Sequence, residues 1–160
     1  ASDATGVLRA SGSHLLATGE TSLHVASNLN LGAASNAFRI APFMNDFVFQ
    51  TPPDITLDAT SMKSPPGSWR GLGHVAVGPF AYKSVPFEKL ESDFSFEENR
   101  WSVRAMRLVH RTGELAGDMV NDRGQVQSRF INTLHRPVLR PILHGELGEL
   151  YAQLTFVNPS

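Results

Sequence analysis

The stretch Phe94-Ser95-Phe96-Glu97-Glu98-Asn99-Arg100-Trp101-Ser102-Val103-Arg104-Ala105 decides the fold class. Apolar and polar residues alternate on both sides of a short polar break, with Phe94 and Phe96 before it and Trp101, Val103 and Ala105 after it. A period of two is that of a β-strand, whose successive side chains point to opposite faces. The break from Glu97 to Arg100 has the length of a hairpin connection. Two half-buried strands joined by a tight turn are expected.

The same alternation recurs outward from this stretch. It runs through Leu23, Val25, Leu29 and Leu31, through Phe47 and Phe49, through Ile55, Leu57 and Ala59, and through Val75 and Val77. Pro52-Pro53, Pro65-Pro66-Gly67, Pro79 and Pro86 punctuate these runs and argue against long helices between residues 47 and 130. Asn121-Asp122-Arg123-Gly124 places Gly at the end of a type I turn. Only Ala33 to Asn45 and Leu134 to Leu150 carry helical spacing, so residues 34 to 45 and about 136 to 150 are the expected helical pieces. Pro137 suits a first helical turn, whereas Pro141 implies a start or kink.

Short matches recur at a long interval. Thr112-Gly113-Glu114-Leu115 repeats Thr5-Gly6-Val7-Leu8 at an offset of 107 residues, and Phe156-Val157-Asn158-Pro159 repeats Phe49-Gln50-Thr51-Pro52 at 107 again. Between them Val126-Gln127-Ser128 answers Val25-Ala26-Ser27 at 101. The order of elements implied is the same in both passes, which is the mark of a repeat architecture. Residues 1–46 then read as the end of one unit, 47–153 as a nearly complete second and 154–160 as the first strand of a third, in one continuous structural domain. The fold expected is mainly β: an extended, twisted and curved antiparallel sheet with one or two short helical inserts, part of a repeat array.

Composition narrows the function. The 160 residues suffice for one domain with a core. A formal net charge of −1 removes the simplest case for nucleic acid, although 8 of the 11 Arg lie in the last 61 residues and leave room for a local basic surface. The absence of Cys excludes disulfides and Cys-based metal or redox sites. No run of about 18 apolar residues is present to span a membrane as a helix. An opening of Ala1-Ser2-Asp3 reads as a processed or excised segment, with any export signal or anchor outside it.

Candidate motifs weigh against catalysis. Gly71-Leu72-Gly73-His74-Val75-Ala76 fits a loose dinucleotide fingerprint but runs into strand-like sequence rather than a helix, so a turn or bulge entering a strand is expected. The six His, at 14, 24, 74, 110, 135 and 144, show no metal-binding spacing, and His24 and His110 read as ordinary strand positions. No Gly-x-Ser-x-Gly elbow is present. Glu88, Glu91, Asp93, Glu97 and Glu98 read as a solvated face rather than a carboxylate pair. Trp69, Trp101 and Tyr82 are candidates for a sugar-stacking platform, with Trp101 in phase with Val103 and so better read as core or groove lining. No enzyme, cofactor, metal or nucleotide is expected.

The succession from Phe47-Val48-Phe49-Gln50-Thr51-Pro52-Pro53-Asp54-Ile55, through Gly78-Pro79-Phe80-Ala81-Tyr82-Lys83-Ser84-Val85-Pro86-Phe87, to Leu90–Phe96, Trp101–Leu108 and Thr112-Gly113-Glu114-Leu115-Ala116-Gly117-Asp118 resembles the repeat region of AsmA-like proteins. The resemblance covers most of the chain and carries no catalytic residue. It implies a bridge-like protein of the bacterial envelope, anchored in the inner membrane and extending a curved sheet into the periplasm. Its apolar groove would carry phospholipid acyl chains between inner and outer membranes. Phe94, Phe96, Trp101 and Val103 are the groove candidates, with adjacent repeats of the parent chain as further partners. Membrane contact would fall to parts of the parent protein not present here. Arg104 and Arg107 are candidates for a phosphate rim, though a solvated strand face is the better reading. The competing expectation is a purely structural or protein-interaction β-module of an envelope protein.

Overall fold

A computed structural model describes residues 6–17, 19–29, 46–61 and 67–139. Eleven strands and one helical turn account for most of them: β1 Leu8–Leu15, β2 Glu20–Ser27, β3 Phe47–Phe49, β4 Asp54–Ser61, β5 Trp69–Val77, β6 Phe80–Tyr82, β7 Val85–Phe87, β8 Lys89–Glu97, β9 Arg100–His110, β10 Gly113–Asp122, β11 Gln125–Asn132 and α1 Arg136–Leu139. Eight strands form one sheet in the order β1-β2-β4-β5-β8-β9-β10-β11, and β3-β6-β7 form a second. Every pairing is antiparallel. The large sheet is therefore a meander whose neighbours follow in sequence, and β3 and the β6–β7 hairpin are excursions from it.

Cross-strand register sorts the large sheet into two faces. Leu23↔Ala59↔Gly71↔Phe96↔Trp101 and Val25↔Leu57↔Gly73↔Phe94↔Val103↔Met119 are directly opposed and share one side. Ser11↔His24↔Asp58↔Leu72↔Ser95↔Ser102 share the other. One face is thus apolar and the other polar, as half-buried antiparallel strands require.

The buried core sits at one end of the apolar face. Val77, Phe80, Phe87 and Leu108 are buried together, with Phe47, Phe49, Tyr82, Val85, Leu90, Leu115 and Val138 packed around them. The short sheet contributes the aromatic half of this core. Its rings stack at centroid distances of 5.7 Å for Phe47–Phe49 and 5.3 Å for Phe80–Phe87, within the range in which aromatic pairs add to simple burial. Pro86 is accommodated because β7 is an edge strand.

Several expectations need correction. Gly71 and Gly73 lie in the middle of β5 and not in a turn or bulge. A Cβ at either position would meet the ring of Phe96 or Phe94 at 2.7 Å and 2.4 Å, so the glycines leave room for rings lying across the strand. The Asn121–Gly124 connection is not a type I turn ending on Gly. Arg123 and Gly124 both have positive φ, 52° and 90°, as in the type I′ turns whose twist matches a two-residue hairpin. Ala105 does not continue the phase of Trp101 and Val103, because the β8–β9 register shifts beside it and its φ is +50°. This is a β-bulge, in which one extra residue leaves the ladder.

The expected helix over residues 34–45 lies outside the described residues, as do residues 140–150 of the second, where only the single turn Arg136–Leu139 is described. Helical inserts are therefore not supported. Nor is a repeat array: Gly6 and Gly113 each precede a hairpin, at opposite edges of one sheet, but Phe156 and most of the two segments expected as helices lie outside the described residues. Among the described residues no helix is long and apolar enough to cross a membrane, which says nothing of strands.

Candidate functional site

Two surfaces compete for a functional reading, one on each face of the large sheet.

On the apolar face, Phe94 and Phe96 of β8 project beside Val103 and Trp101 of β9. The four groove candidates are thus neighbours. Phe94, Phe96 and Val103 are half-buried, while Trp101 and Trp69 are each 38% exposed at the same end of the strands. Tyr82, the third aromatic of the expected platform, is in the short sheet against Phe47, with ring centroids 4.6 Å apart. The platform of three is not assembled.

The polar face carries a trough of about 690 Å³ that crosses the sheet from Ser11 of β1 to Val120 of β10. A second depression of about 450 Å³ continues beside Thr56, His74, Asp93 and Arg104. Phe96 and Trp101 border the first and Phe94 the second. Their side chains belong to the opposite face by register.

Side chains along the trough pair with one another. His24 Nδ1 lies 2.6 Å from Asp58 Oδ1, and His74 Nδ1 lies 2.7 Å from Asp93 Oδ1. Ser13 and Ser22 share a hydrogen bond at 2.7 Å, and Ser95 and Ser102 share one at 2.8 Å. Each is a directly opposed cross-strand pair, the unit by which sheets gain side-chain stability. Across this face Arg100 meets Asp122 at 3.2 Å and Arg107 meets Glu114 at 2.7 Å. Glu114 raises the pKa of Arg107, through its hydrogen bond and then its charge, so Arg107 remains a cation. Arg107 is therefore engaged within the sheet, and Arg104 lies at both depressions.

Chemically the polar face holds two imidazole–carboxylate pairs. Ser11 stands opposite His24, so a Ser–His–Asp row exists in the register. A working triad also needs the hydroxyl bonded to the ring and donors for an oxyanion. Among the described contacts His24 bonds Asp58 alone. No group of three or more His, Asp or Glu stands close enough to share a metal ion among the described residues. The acidic residues disperse: Asp93 goes to His74, Glu91 pairs with Lys89, and Glu97 and Glu98 lead into the hairpin. His110 is buried, edge-on to Phe87 at 5.7 Å and bonded to Thr112 at 2.8 Å.

No known protein family, characterised protein or solved structure matches the chain.

Sequence reasoning found the apolar phase of β8 and β9 and missed the polar trough. Ser11, His24, Asp58, His74 and Asp93 are unremarkable one at a time. Only the register of five strands brings them together, and register is a long-range property.

Proposed function

We propose that the chain is a non-catalytic module of an AsmA-like envelope protein, with the apolar face of its sheet lining a path for phospholipid acyl chains between the inner and outer membranes. The observation that carries this reading is the continuity of that face. Val25, Leu57, Phe94, Val103 and Met119 follow one another across β2, β4, β8, β9 and β10, interrupted only by Gly73 beneath the Phe94 ring. The short sheet packs against the Val77–Leu108 end of the face, away from Phe96 and Trp101. An acyl chain laid along such a surface gains about 0.8 kcal/mol per buried CH₂ and needs no specific polar contact. The parent protein would be periplasmic, held to the inner membrane through a segment outside this chain.

Photo-crosslinking from Phe96 or Val103 in the parent protein tests the reading. Phospholipid adducts are expected, and Phe96→Asp or Val103→Asp should abolish lipid capture at modest cost to stability. If the wild type never captures phospholipid and both variants unfold, the residues form an ordinary core.

A second reading rests on the trough. Its location on the polar face, with its side chains paired to one another, favours a structural or protein-interaction β-module whose apolar face is sealed. The same experiment separates the two, because a sealed face excludes the probe.

A further inference from the structure

The first and last hairpins close in the same way. Val7 N–H donates to Asn28 Oδ1 at 2.6 Å, and Asn28 N–H donates back to the Val7 carbonyl at 3.0 Å. Glu114 N–H donates to Thr133 Oγ1 at 2.9 Å, and Thr133 N–H donates back to the Glu114 carbonyl at 2.8 Å. The residue before each is a glycine whose Cβ would strike the partner backbone, Gly6 against the Asn28 carbonyl at 2.0 Å and Gly113 against that of Thr133 at 2.4 Å. By this closure β1 corresponds to β10 and β2 to β11.

The two hairpins differ in what pairs outside them. Among the described residues, β10 receives β9 on the edge that β1 leaves open, and β2 receives β4 on the edge that β11 leaves open. Each open edge therefore has a counterpart in the same molecule that carries a strand.

The open edges also match each other. β1 and β11 are both 8 residues long. Eight strands alternating in direction leave them antiparallel. The closures fix which backbone groups face outward: Val7 and Thr133 point into their hairpins, so the outward groups belong to Leu8, Ala10, Gly12 and His14 and to Val126, Ser128, Phe130 and Asn132. Both sets have their side chains on the apolar face, as the pairs Ala10↔Val25 and Met119↔Ser128 show. Hydrogen-bonding the two edges would thus join apolar face to apolar face. Neither strand holds the Lys or Pro with which edges are commonly blunted.

We propose that β11 of one copy pairs antiparallel with β1 of a second copy, continuing the sheet head to tail. Such a contact joins unlike surfaces, so it propagates as an open chain or closes as a ring. It does not depend on the lipid reading, because it uses the edges of the sheet and not its face.

Sedimentation of the chain over a concentration series tests it with two variants. Ala10→Pro and Ser128→Pro each remove an outward donor and leave the internal ladders intact. The wild type should gain mass with concentration. Each variant alone should stay monomeric with wild-type circular dichroism, and an equimolar mixture should form a dimer and stop there. A monomeric wild type overturns the proposal, and so does a Ser128→Pro protein that still dimerises alone, which would mean β1 pairs with β1. Should proline unfold either variant, the cysteine-free background permits a second measurement. Ala10→Cys mixed with Ser128→Cys should crosslink through a short bis-maleimide as a heterodimer in preference to either homodimer, and the reverse preference overturns the proposal.

Discussion

The Phe96 ring lies across Gly71 on the neighbouring strand, so close that a Cβ at Gly71 would stand 2.7 Å from two ring carbons. Phe94 covers Gly73 in the same manner, but there a Cβ would meet the Thr56 backbone carbonyl at 2.3 Å, against 3.0 Å to the Asp58 carbonyl at Gly71. The ring can retreat and the carbonyl cannot. Gly71→Ala is therefore expected to destabilise by about 1–2 kcal/mol and to be largely rescued by Phe96→Leu. Gly73→Ala should cost more and gain little from Phe94→Leu. Denaturant unfolding of the two double-mutant cycles checks this, and equal rescue at both sites would contradict it.

The glycines show where the sequence stops being legible. Alternation in Phe94–Phe96 and Trp101–Val103 predicts strands, their hairpin and their shared face, because period two is a local property. Gly71-Leu72-Gly73 suggests a turn locally, and only the rings of the next strand explain it as strand interior. Likewise Ser92, Asp118 and Ala105 give no local sign of a bulge. The His–Asp pairs needed the β2–β4 and β5–β8 registers, which no short window contains.

The short sheet carries the buried aromatic core, so truncations there should outweigh truncation of the half-buried Phe96 farther along the apolar face. Phe80 and Phe87 are each 3% exposed, whereas Phe96 is half-buried. Phe80→Ala or Phe87→Ala should cost about 3–5 kcal/mol. Phe96→Ala should cost distinctly less, since part of its ring already meets solvent. Thermal unfolding of the three variants measures the order, and a Phe96→Ala loss equal to the others would place Phe96 in a sealed core.

Arg123 occupies the first position of the β10–β11 turn at φ 52°, where a long side chain is disfavoured and Asn is well tolerated. Its 4.0 Å approach to Asp122 comes from a side chain that is 84% exposed, so little is lost by removing it. Arg123→Asn creates an Asn-Gly turn and should stabilise by about 0.5–1 kcal/mol, read as a higher unfolding midpoint.

His24 and Asp58 bond at 2.6 Å but their side chains are 52% and 63% exposed. Exposed pairs of this kind contribute about 0–1 kcal/mol because solvent screens them. His24→Ala and Asp58→Ala should therefore change stability only slightly, with a coupling of less than about 1 kcal/mol in a double-mutant cycle. A much larger coupling would mean that the pair is shielded from water.

The β9 bulge supplies the last test. The peptide joining Arg104 to Ala105 has left the ladder, and both of its polar groups are met by side chains of the flanking strands. Its carbonyl accepts at 3.2 Å from the Ser92 hydroxyl, whose single proton is shared with the Asp93 carbonyl at 3.1 Å, and its N–H donates to Asp118 Oδ1 at 2.8 Å. The two supports differ in solvent access. Ser92 is 6% exposed, whereas Asp118 lies on the exposed polar face. Water can replace Asp118, so Asp118→Ala should cost about 1 kcal/mol or less and show mainly as faster hydrogen exchange at the Ala105 amide. Ser92→Ala removes a donor from the part-buried Arg104 carbonyl and should cost about 1–3 kcal/mol. Ala105→Gly relieves the positive φ and should offset part of either loss, because glycine holds that conformation without strain. If Ala105→Gly destabilises the Asp118→Ala background further, the bulge is held by something other than these two side chains.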